Sequence, residues 1–480
     1  MSQEQQEQQE QLAAFVASTA EKFGVPGVSV GVLTGGREIY ASHGVTHVDN
    51  PLPVDEETLF HVGSVTKTFT STALMRLVAE GKVELDAPVR RYVPELELAD
   101  ERSAETITVL NLLNHTAGLD WNLIDTDAGN GSLAEFVAKM SELPVIAPPG
   151  ARASYSQAGY NLAGRVIEKV TGLPFEKAVA ALVLEPVGLT RTFFDIDEIM
   201  IRRFAVGHNR DEDGVLRPAR PWRANPSGAL GNNPGGGIAT SVGDLLRWAR
   251  FHLGTGDGVL PARALHRMQE PTVTLRASTL GDAFGICWFL RAVDGVDTVG
   301  HGGSGNGQFA DLLIVPEHDF AVVSLANAGP EGYPFNQSVV RWALEHYLGV
   351  VDKDPQPVPF EEARAREVAG RYEIDAMNLH IAVDGTRLTL AAEIKPEIRE
   401  ASDADMPPDY APAGMGFLPG DGDEYVVTEG GLKGQRGYFT RDAHGVVTGV
   451  DLAGRLFNRT TPAIRTSPAI RPSEAIPSGS

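Results

Sequence analysis

The sequence is poor in cysteine: Cys287 is the single one, so no internal disulfide can form. Its neighbours Phe284, Ile286 and Trp288 mark it as a small core residue rather than a reactive thiol. Basic residues are outnumbered, with 41 Lys and Arg against 63 Asp and Glu, for a net charge of -22. That balance repels phosphate backbones and anionic membrane surfaces, which excludes nucleic acid and membrane as partners. No apolar run approaches the ~20 residues that a membrane helix requires. The opening Met1–Gln11 holds Gln and Glu but no basic residue. A secretory leader needs a basic start and an apolar core, so a cytoplasmic location is expected. A His-Glu-x-x-His element, a cysteine cluster and a Gly-Lys-Ser phosphate loop are all missing. His43 and His47 lie four apart in a strand–turn region with no third ligand fixed beside them, so neither metal nor cofactor is expected.

What remains is ordinary globular composition, 42% apolar and 22% charged over 480 residues. Residues 1–11 read as an unstructured polar tract. Leu12, Phe15, Val16, Thr19 and Phe23 then recur at helical spacing. Gly27–Thr34 and Glu38–Ser42 read as a hairpin around Gly35-Gly36. From about 60 to 250 helices dominate: Ser64–Glu80 before Gly81, Gly159–Val170 before Gly172, and Asp244–Leu253 after Ser241. Asn225–Gly237 reads as a loop. Strand patterns return at Phe284–Leu290, Gln308–Val315 and Phe320–Ala326, and a helix is expected over Gln337–Leu348.

Strands at both ends with helices between predict an α+β domain over 12–350, a sheet assembled from both termini against a helical lobe. The Pro-rich 351–360 reads as a linker. Short strand patterns over 361–462 predict a small all-β module, barrel or sandwich, and 463–480 read as a disordered tail.

Three short segments could carry chemistry. In Ser64-Val65-Thr66-Lys67, positions i and i+3 share a helix face, so hydroxyl and amine can meet. Gly63 permits a tight entry, and free N–H groups of the first turn favour a developing oxyanion. A desolvated Lys67 could remove the hydroxyl proton. By itself Ser-x-x-Lys is weak evidence, equally explained by a helix cap and a solvated lysine. Tyr155-Ser156-Gln157 stands at a helix entrance, where the phenol could relay a proton or merely pack. His301-Gly302-Gly303-Ser304 precedes a strand, where glycines let a substrate backbone approach and an N–H of Ser304 could face the same oxyanion. Taken alone it is a glycine-rich turn with a surface histidine.

Together the set resembles the serine β-lactamase and penicillin-binding protein family, in its class C β-lactamase-like branch of esterases, D-peptidases and peptidyl thioesterases. The segments 112–119 (LLNHTAGL), 184–189 (LEPVGL) and 235–241 (GGGIATS) are similar to family loops, and the module after 360 is similar to a lipocalin-like domain. The resemblance implies a β-lactamase/transpeptidase-like fold, with Ser64 as nucleophile, Lys67 as base or electrostatic partner, and Tyr155 as proton relay. It implies an oxyanion hole of the Ser64 and Ser304 N–H groups, with Gln157, Gly302 and Gly303 lining the substrate site. His301 occupies the place of a family lysine, and Gln157 that of a family asparagine. Losing a permanent cation and lengthening an amide both weigh against β-lactamase or DD-peptidase activity.

The expected function is a cofactor-free serine hydrolase or acyl transferase forming a Ser64 acyl-enzyme on an ester, amide or peptide. Alternatives are a peptidyl thioesterase or cyclase releasing a carrier-bound peptide, a β-lactamase or DD-peptidase, and a binding module of the same fold without catalysis. The sequence fixes neither acyl group, stereochemical preference nor oligomeric state.

Overall fold

The computed structural model describes residues 3–123, 131–211, 213–219, 229–254, 256, 258–401, 408–420 and 422–460. The tail read as disordered, 463–480, lies outside them. The opening tract does not match its expectation: helix α1 runs Gln3–Phe23, because Leu12, Val16 and Ala20 at i, i+4 spacing bury against the sheet and propagate the helix back through the polar residues.

The α+β expectation is met by an eight-stranded antiparallel sheet. Its strands are β1 (Gly27–Thr34), β2 (Arg37–Gly44), β3 (Val273–Ser278), β4 (Gly281–Phe284), β5 (Phe289–Val293), β6 (Val296–Gly305), β7 (Gln308–Val315) and β8 (Phe320–Ala326). The order β2-β1-β8-β7-β6-β5-β4-β3 inserts the N-terminal hairpin beside the last strand. The segment 284–290 is two strands rather than one. Gly285 N–H donates to Trp288 O and Cys287 sits at φ +78, a tight turn that an unbroken apolar pattern conceals.

On one face of the sheet pack α1 and α6 (Gly332–Leu348); on the other lies the helical lobe. Period-2 alternation along β7 divides the two cores: Ala310, Leu312 and Ile314 enter the lobe core, while Leu313 and Val315 face α1 and α6. The lobe is built around α2 (Thr66–Ala79), α3 (Gln157–Thr171), α4 (Ala229–Gly236) and α5 (Val242–Leu253). Ser156 and Ser241 cap α3 and α5, and Gly172 closes α3 at φ +71. Helix α4 replaces the expected loop. Its Gly, Asn and Pro are poor helix formers, yet neighbouring helices hold its carbonyls: Thr70 Oγ1 donates to Pro234 O at 2.7 Å and Gln157 Nε2 to Asn232 O at 3.2 Å.

The second module is a closed eight-stranded barrel of β9 (Gly370–Glu373), β10 (Met377–Asp384), β11 (Arg387–Ile394), β12 (Tyr410–Phe417), β13 (Glu424–Val427), β14 (Arg436–Arg441), β15 (Val447–Leu452) and β16 (Arg455–Arg459). Between the two modules, Asp352 forms a bidentate pair with Arg291, at 2.6 and 3.0 Å, so the segment read as linker is pinned to the sheet. The barrel docks through polar contacts that the sequence does not announce. Arg436 N–H donates to Thr279 Oγ1 at 2.8 Å, and Asp375 N–H to Asp120 Oδ2 at 3.2 Å.

Candidate active site

The site forms where α2, α3, α4 and β6 meet. Gly63 enters a short 3-10 turn, Gly63–Val65, at φ +48, and that turn runs into α2. A β-carbon on Gly63 would lie 2.7 Å from Ser304 N, and one on Gly303 would lie 2.9 Å from Ser64 N. Glycine is therefore required on both sides for the backbones of residues 63–64 and 303–304 to touch, which brings the two expected oxyanion donors side by side.

Lys67 is fully buried. Its Nζ lies 3.1 Å from Ser64 Oγ, 2.8 Å from Gln157 Oε1 and 2.8 Å from Gly235 O. Burial holds its pKa well below the usual lysine range. A neutral amine has two N–H groups and one lone pair. Two of the three partners are carbonyl oxygens that can only accept, so both N–H groups go to them and the lone pair faces the Ser64 hydroxyl.

Tyr155 is buried, its hydroxyl within hydrogen-bonding reach of Ser64, and Lys67 Nζ lies 4.9 Å from its ring centroid. Burial raises the phenol pKa, so it rests protonated. Ser156 N–H donates to His115 Nδ1 at 3.1 Å, and the His115 and Tyr155 ring centroids are 4.3 Å apart. His115, in the loop segment 112–119, thus locks the segment that presents the phenol.

The amide of Gln157 reaches Lys67 despite its extra methylene. The room comes from Gly235, where a β-carbon would lie 1.9 Å from Gln157 Nε2. The NH₂ group of Gln157 is occupied, donating to Asn161 Oδ1 at 3.3 Å and Asn232 O at 3.2 Å.

His301 corrects the reading of a surface turn. It lies within β6, is buried, and stacks on Phe289 with centroids 4.2 Å apart. Its Nδ1 contacts Gly302 O at 2.7 Å, so that nitrogen carries the proton and donates, while buried Nε2 has no partner. Burial pushes its pKa down to about 3, so the ring is neutral. His301, Gly302, Gly303 and Ser304 follow one another on the strand, with the His301 ring centroid 6.4 Å from that of Tyr155.

A cation does enter the site, from the barrel. Arg455 opens β16 directly after the Ala453–Gly454 turn. Gly454 O accepts from Tyr155 N–H at 2.8 Å. The guanidinium carbon of Arg455 lies 3.9 Å from the Trp121 ring centroid and 5.4 Å from that of Tyr155, and its buried Nε has no hydrogen-bond partner among the described residues. Sequence reading missed Arg455. The available signal was the pair Ala453-Gly454 ahead of Arg455-Leu456-Phe457, a two-residue hairpin turn with both φ values positive, +52 and +73.

Among the described residues no group of three or more His, Cys, Asp or Glu side chains could hold a metal ion, and no helix is long and apolar enough to cross a membrane.

The β-lactamase family model matches residues 12–342. The chain belongs to the β-lactamase family. Penicillin-binding protein 4 of Amycolatopsis lactamdurans is 32% identical over 364 residues, covering 73% of this chain and 93% of that protein. The crystal structure of SurE superposes with a TM-score of 0.72 at 24% identity, covering 94% of this chain and 99% of SurE. A class C β-lactamase from Rhodobacter sphaeroides gives a TM-score of 0.58 at 25% identity, covering 70% of this chain and 99% of that one. The family is one of serine hydrolases and acyl transferases. The difference in coverage shows that the SurE likeness extends into the barrel, which fits a lipocalin-like module, whereas the class C likeness spans a smaller part of the chain.

Proposed function

We propose that this chain is a serine acyl-transfer enzyme that forms an acyl-enzyme on Ser64. One observation carries this reading: the buried amine of Lys67, with its N–H groups taken by Gln157 and Gly235, has a lone pair left for the Ser64 proton. Ser64 Oγ attacks the substrate carbonyl as Lys67 takes the proton. The N–H groups of Ser64 and Ser304 steady the oxyanion. Tyr155, between Lys67 and the leaving group, passes the proton on and later serves the incoming water or amine in reverse. His301, neutral and stacked, shapes the pocket wall rather than supplying charge.

The substrate class follows from Arg455. Among the described residues Arg455 makes no ion pair, and Asp451, the carboxyl whose field it feels, is raised to about 7 by burial and so offsets its charge only in part. The guanidinium favours a substrate that brings a carboxylate, which points to a peptide or amide with that group near the scissile bond. SurE has also been crystallised with D-leucine, a molecule with such a carboxylate. Hydrolysis and transfer to an amine, including release of a carrier-bound peptide, use the same acyl-enzyme and differ in the second nucleophile. The occupied amide of Gln157 removes a donor that could meet a substrate amide and, with neutral His301, speaks against efficient β-lactam hydrolysis.

Intact-mass analysis after exposure to a fluorophosphonate or a penicillin tests the reading. A single adduct that is missing in Ser64→Ala is expected. An unmodified protein that also leaves p-nitrophenyl esters and short peptides untouched would instead favour the binding-module alternative.

A further inference from the structure

A second cavity lies on the α6 side of the sheet, opposite the lobe, where the barrel closes over it. It measures about 200 Å³ and is lined by residues of β5, β6, β7, α6 and the start of β14, and its β6 wall includes His301 and Gly302, which also border the candidate active site. Pockets for drug-sized ligands run to roughly 300–1,000 Å³, so this one suits a smaller molecule.

Its charges are arranged unusually. Arg291 and Arg341 also line it, but both are paired with Asp352. Arg436, on the barrel, is not ion-paired: its guanidinium reaches Ser278 O at 3.3 Å and no carboxylate among the described residues. Asp311, on β7, has a neighbouring backbone N–H, that of Leu312, and no side-chain partner among the described residues. Burial pushes its carboxyl up to about 7, so it stands at the edge of ionisation with no cation beside it. Gln435 Oε1 is buried and accepts from nothing. Tyr333 Oη accepts from Gln337 Nε2 at 2.5 Å, leaving its own proton to give. The remaining walls are apolar, including Leu313, Val340 and Leu344. An acid without a side-chain partner, a buried carbonyl without a donor and a guanidinium outside any ion pair, though within the field of Asp282 and Asp352, line one half-open cavity among the described residues. Together they suit a ligand carrying charges of both signs.

We propose that this cavity is a second ligand site for a small zwitterion with one ammonium and one carboxylate, an amino acid. Asp311 and Gln435 Oε1 receive the ammonium, Arg436 takes the carboxylate, and the aliphatic wall takes the side chain. Because Asp311 belongs to the sheet and Arg436 to the barrel, a bound amino acid bridges the two modules. Ala453, next to the turn that touches Tyr155, also lines the cavity, so occupancy braces the turn that carries Arg455. This site is independent of the acyl-enzyme reading.

Calorimetry and thermal melts of the full-length protein test the proposal. The probes are valine, leucine, 4-aminobutyrate and 6-aminohexanoate, with isobutylamine and isovalerate as single-charge controls. One equivalent of an amino acid is expected to bind and raise the melting temperature, with both controls at least tenfold weaker. Asp311→Asn and Arg436→Gln are each expected to weaken binding at least tenfold, while Arg455→Gln leaves it within about twofold. Should Arg436→Gln loosen barrel docking, Asp311→Asn, nearly isosteric and on the sheet, still reports. No binding of any probe at tens of millimolar would overturn the proposal and leave a water-filled cavity. Binding lost in Arg455→Gln but kept in Asp311→Asn would place the ligand beside Ser64 and also overturn it.

Discussion

Arg455 lies over the ring of Trp121, its guanidinium carbon 3.9 Å from the centroid, and this contact joins the barrel to the candidate active site. Trp121 itself packs on the barrel core, and its carbonyl accepts the N–H groups of Gln157 and Ala158 at the start of α3. One tryptophan thus holds a barrel cation on one side and the helix bearing Gln157 on the other.

Removal of that cation should be felt by charged substrates. Arg455→Ala is expected to lower kcat/KM for carboxylate-bearing peptides roughly 10- to 100-fold, as for loss of a charge-assisted hydrogen bond of about 1.5–3 kcal/mol. Turnover of uncharged p-nitrophenyl esters should change much less. Equal losses for both substrate types would show that Arg455 acts on Tyr155 instead of on the substrate.

The barrel turn is itself a mechanical part. A β-carbon at Gly454 would lie 2.4 Å from Leu280 Cδ1, at a φ of +73 that β-branched residues avoid. Gly454→Val should displace the turn from Tyr155 N–H and slow fluorophosphonate labelling of Ser64 at least tenfold, with far-UV circular dichroism unchanged. Unaltered labelling would mean that the barrel only trims substrate choice.

Gly235 and Gln157 should behave as a pair. Gly235→Ala places a methyl into the Gln157 amide and is expected to reduce acylation at least 100-fold, since small displacements of catalytic groups can cost that much. Shortening the partner in Gly235→Ala with Gln157→Asn should recover at least a tenfold share. A strictly additive double variant would refute the coupling.

The proposed nucleophile and base give a sharper pair of outcomes. Ser64→Ala should cost about 10⁴-fold or more in turnover, as for other deleted nucleophiles. On the proposed mechanism acylation needs neutral Lys67, whose pKa burial lowers. Acylation by a neutral reagent should therefore rise with pH through that lowered pKa and level off well before the ordinary lysine range. A rate that keeps climbing to pH 10 and beyond would mean the amine is not desolvated in solution.

Buried neutral histidines set an acid limit to stability. Burial lowers His301 and His252 to about 3 and His61 to about 4. Below the unfolded value of about 6.5 the unfolded chain binds protons that the folded one refuses, so stability falls as pH drops from there toward 3. Asp311 and Asp451, raised to about 7 by burial, act in the opposite direction over the same range, so the histidine contribution is read as a difference. The change in urea midpoint from pH 7 to pH 4 should be less of a decline in His252→Asn than in the parent chain. An identical slope in the two proteins would contradict the burial of the His252 ring.

Much of this was legible in the chain. Leu12, Val16 and the strand alternation of Gln308–Val315 encode which faces are buried, because side-chain period follows directly from backbone geometry. Ser64 and Lys67 fall on one helix face for the same reason, and Gly63 announces a turn that other residues resist. The helix over Ala229–Gly236 was hidden, since its own residues oppose helix and only hydrogen bonds from Thr70, Lys67 and Gln157 sustain it. The strand Arg455–Arg459 was equally hidden, being short and recognisable only once β9 and β15 flank it.

The sequence by itself determined the Ser64–Lys67 pairing, the two-module order and the family, all properties of local spacing. Tertiary structure alone decided that Lys67 is stripped of water, that His301 is neutral, and that the site's cation is Arg455, some 390 positions from Ser64. Desolvation and long-range charge depend on what packs around a group, and no pattern of neighbours along the chain carries that information.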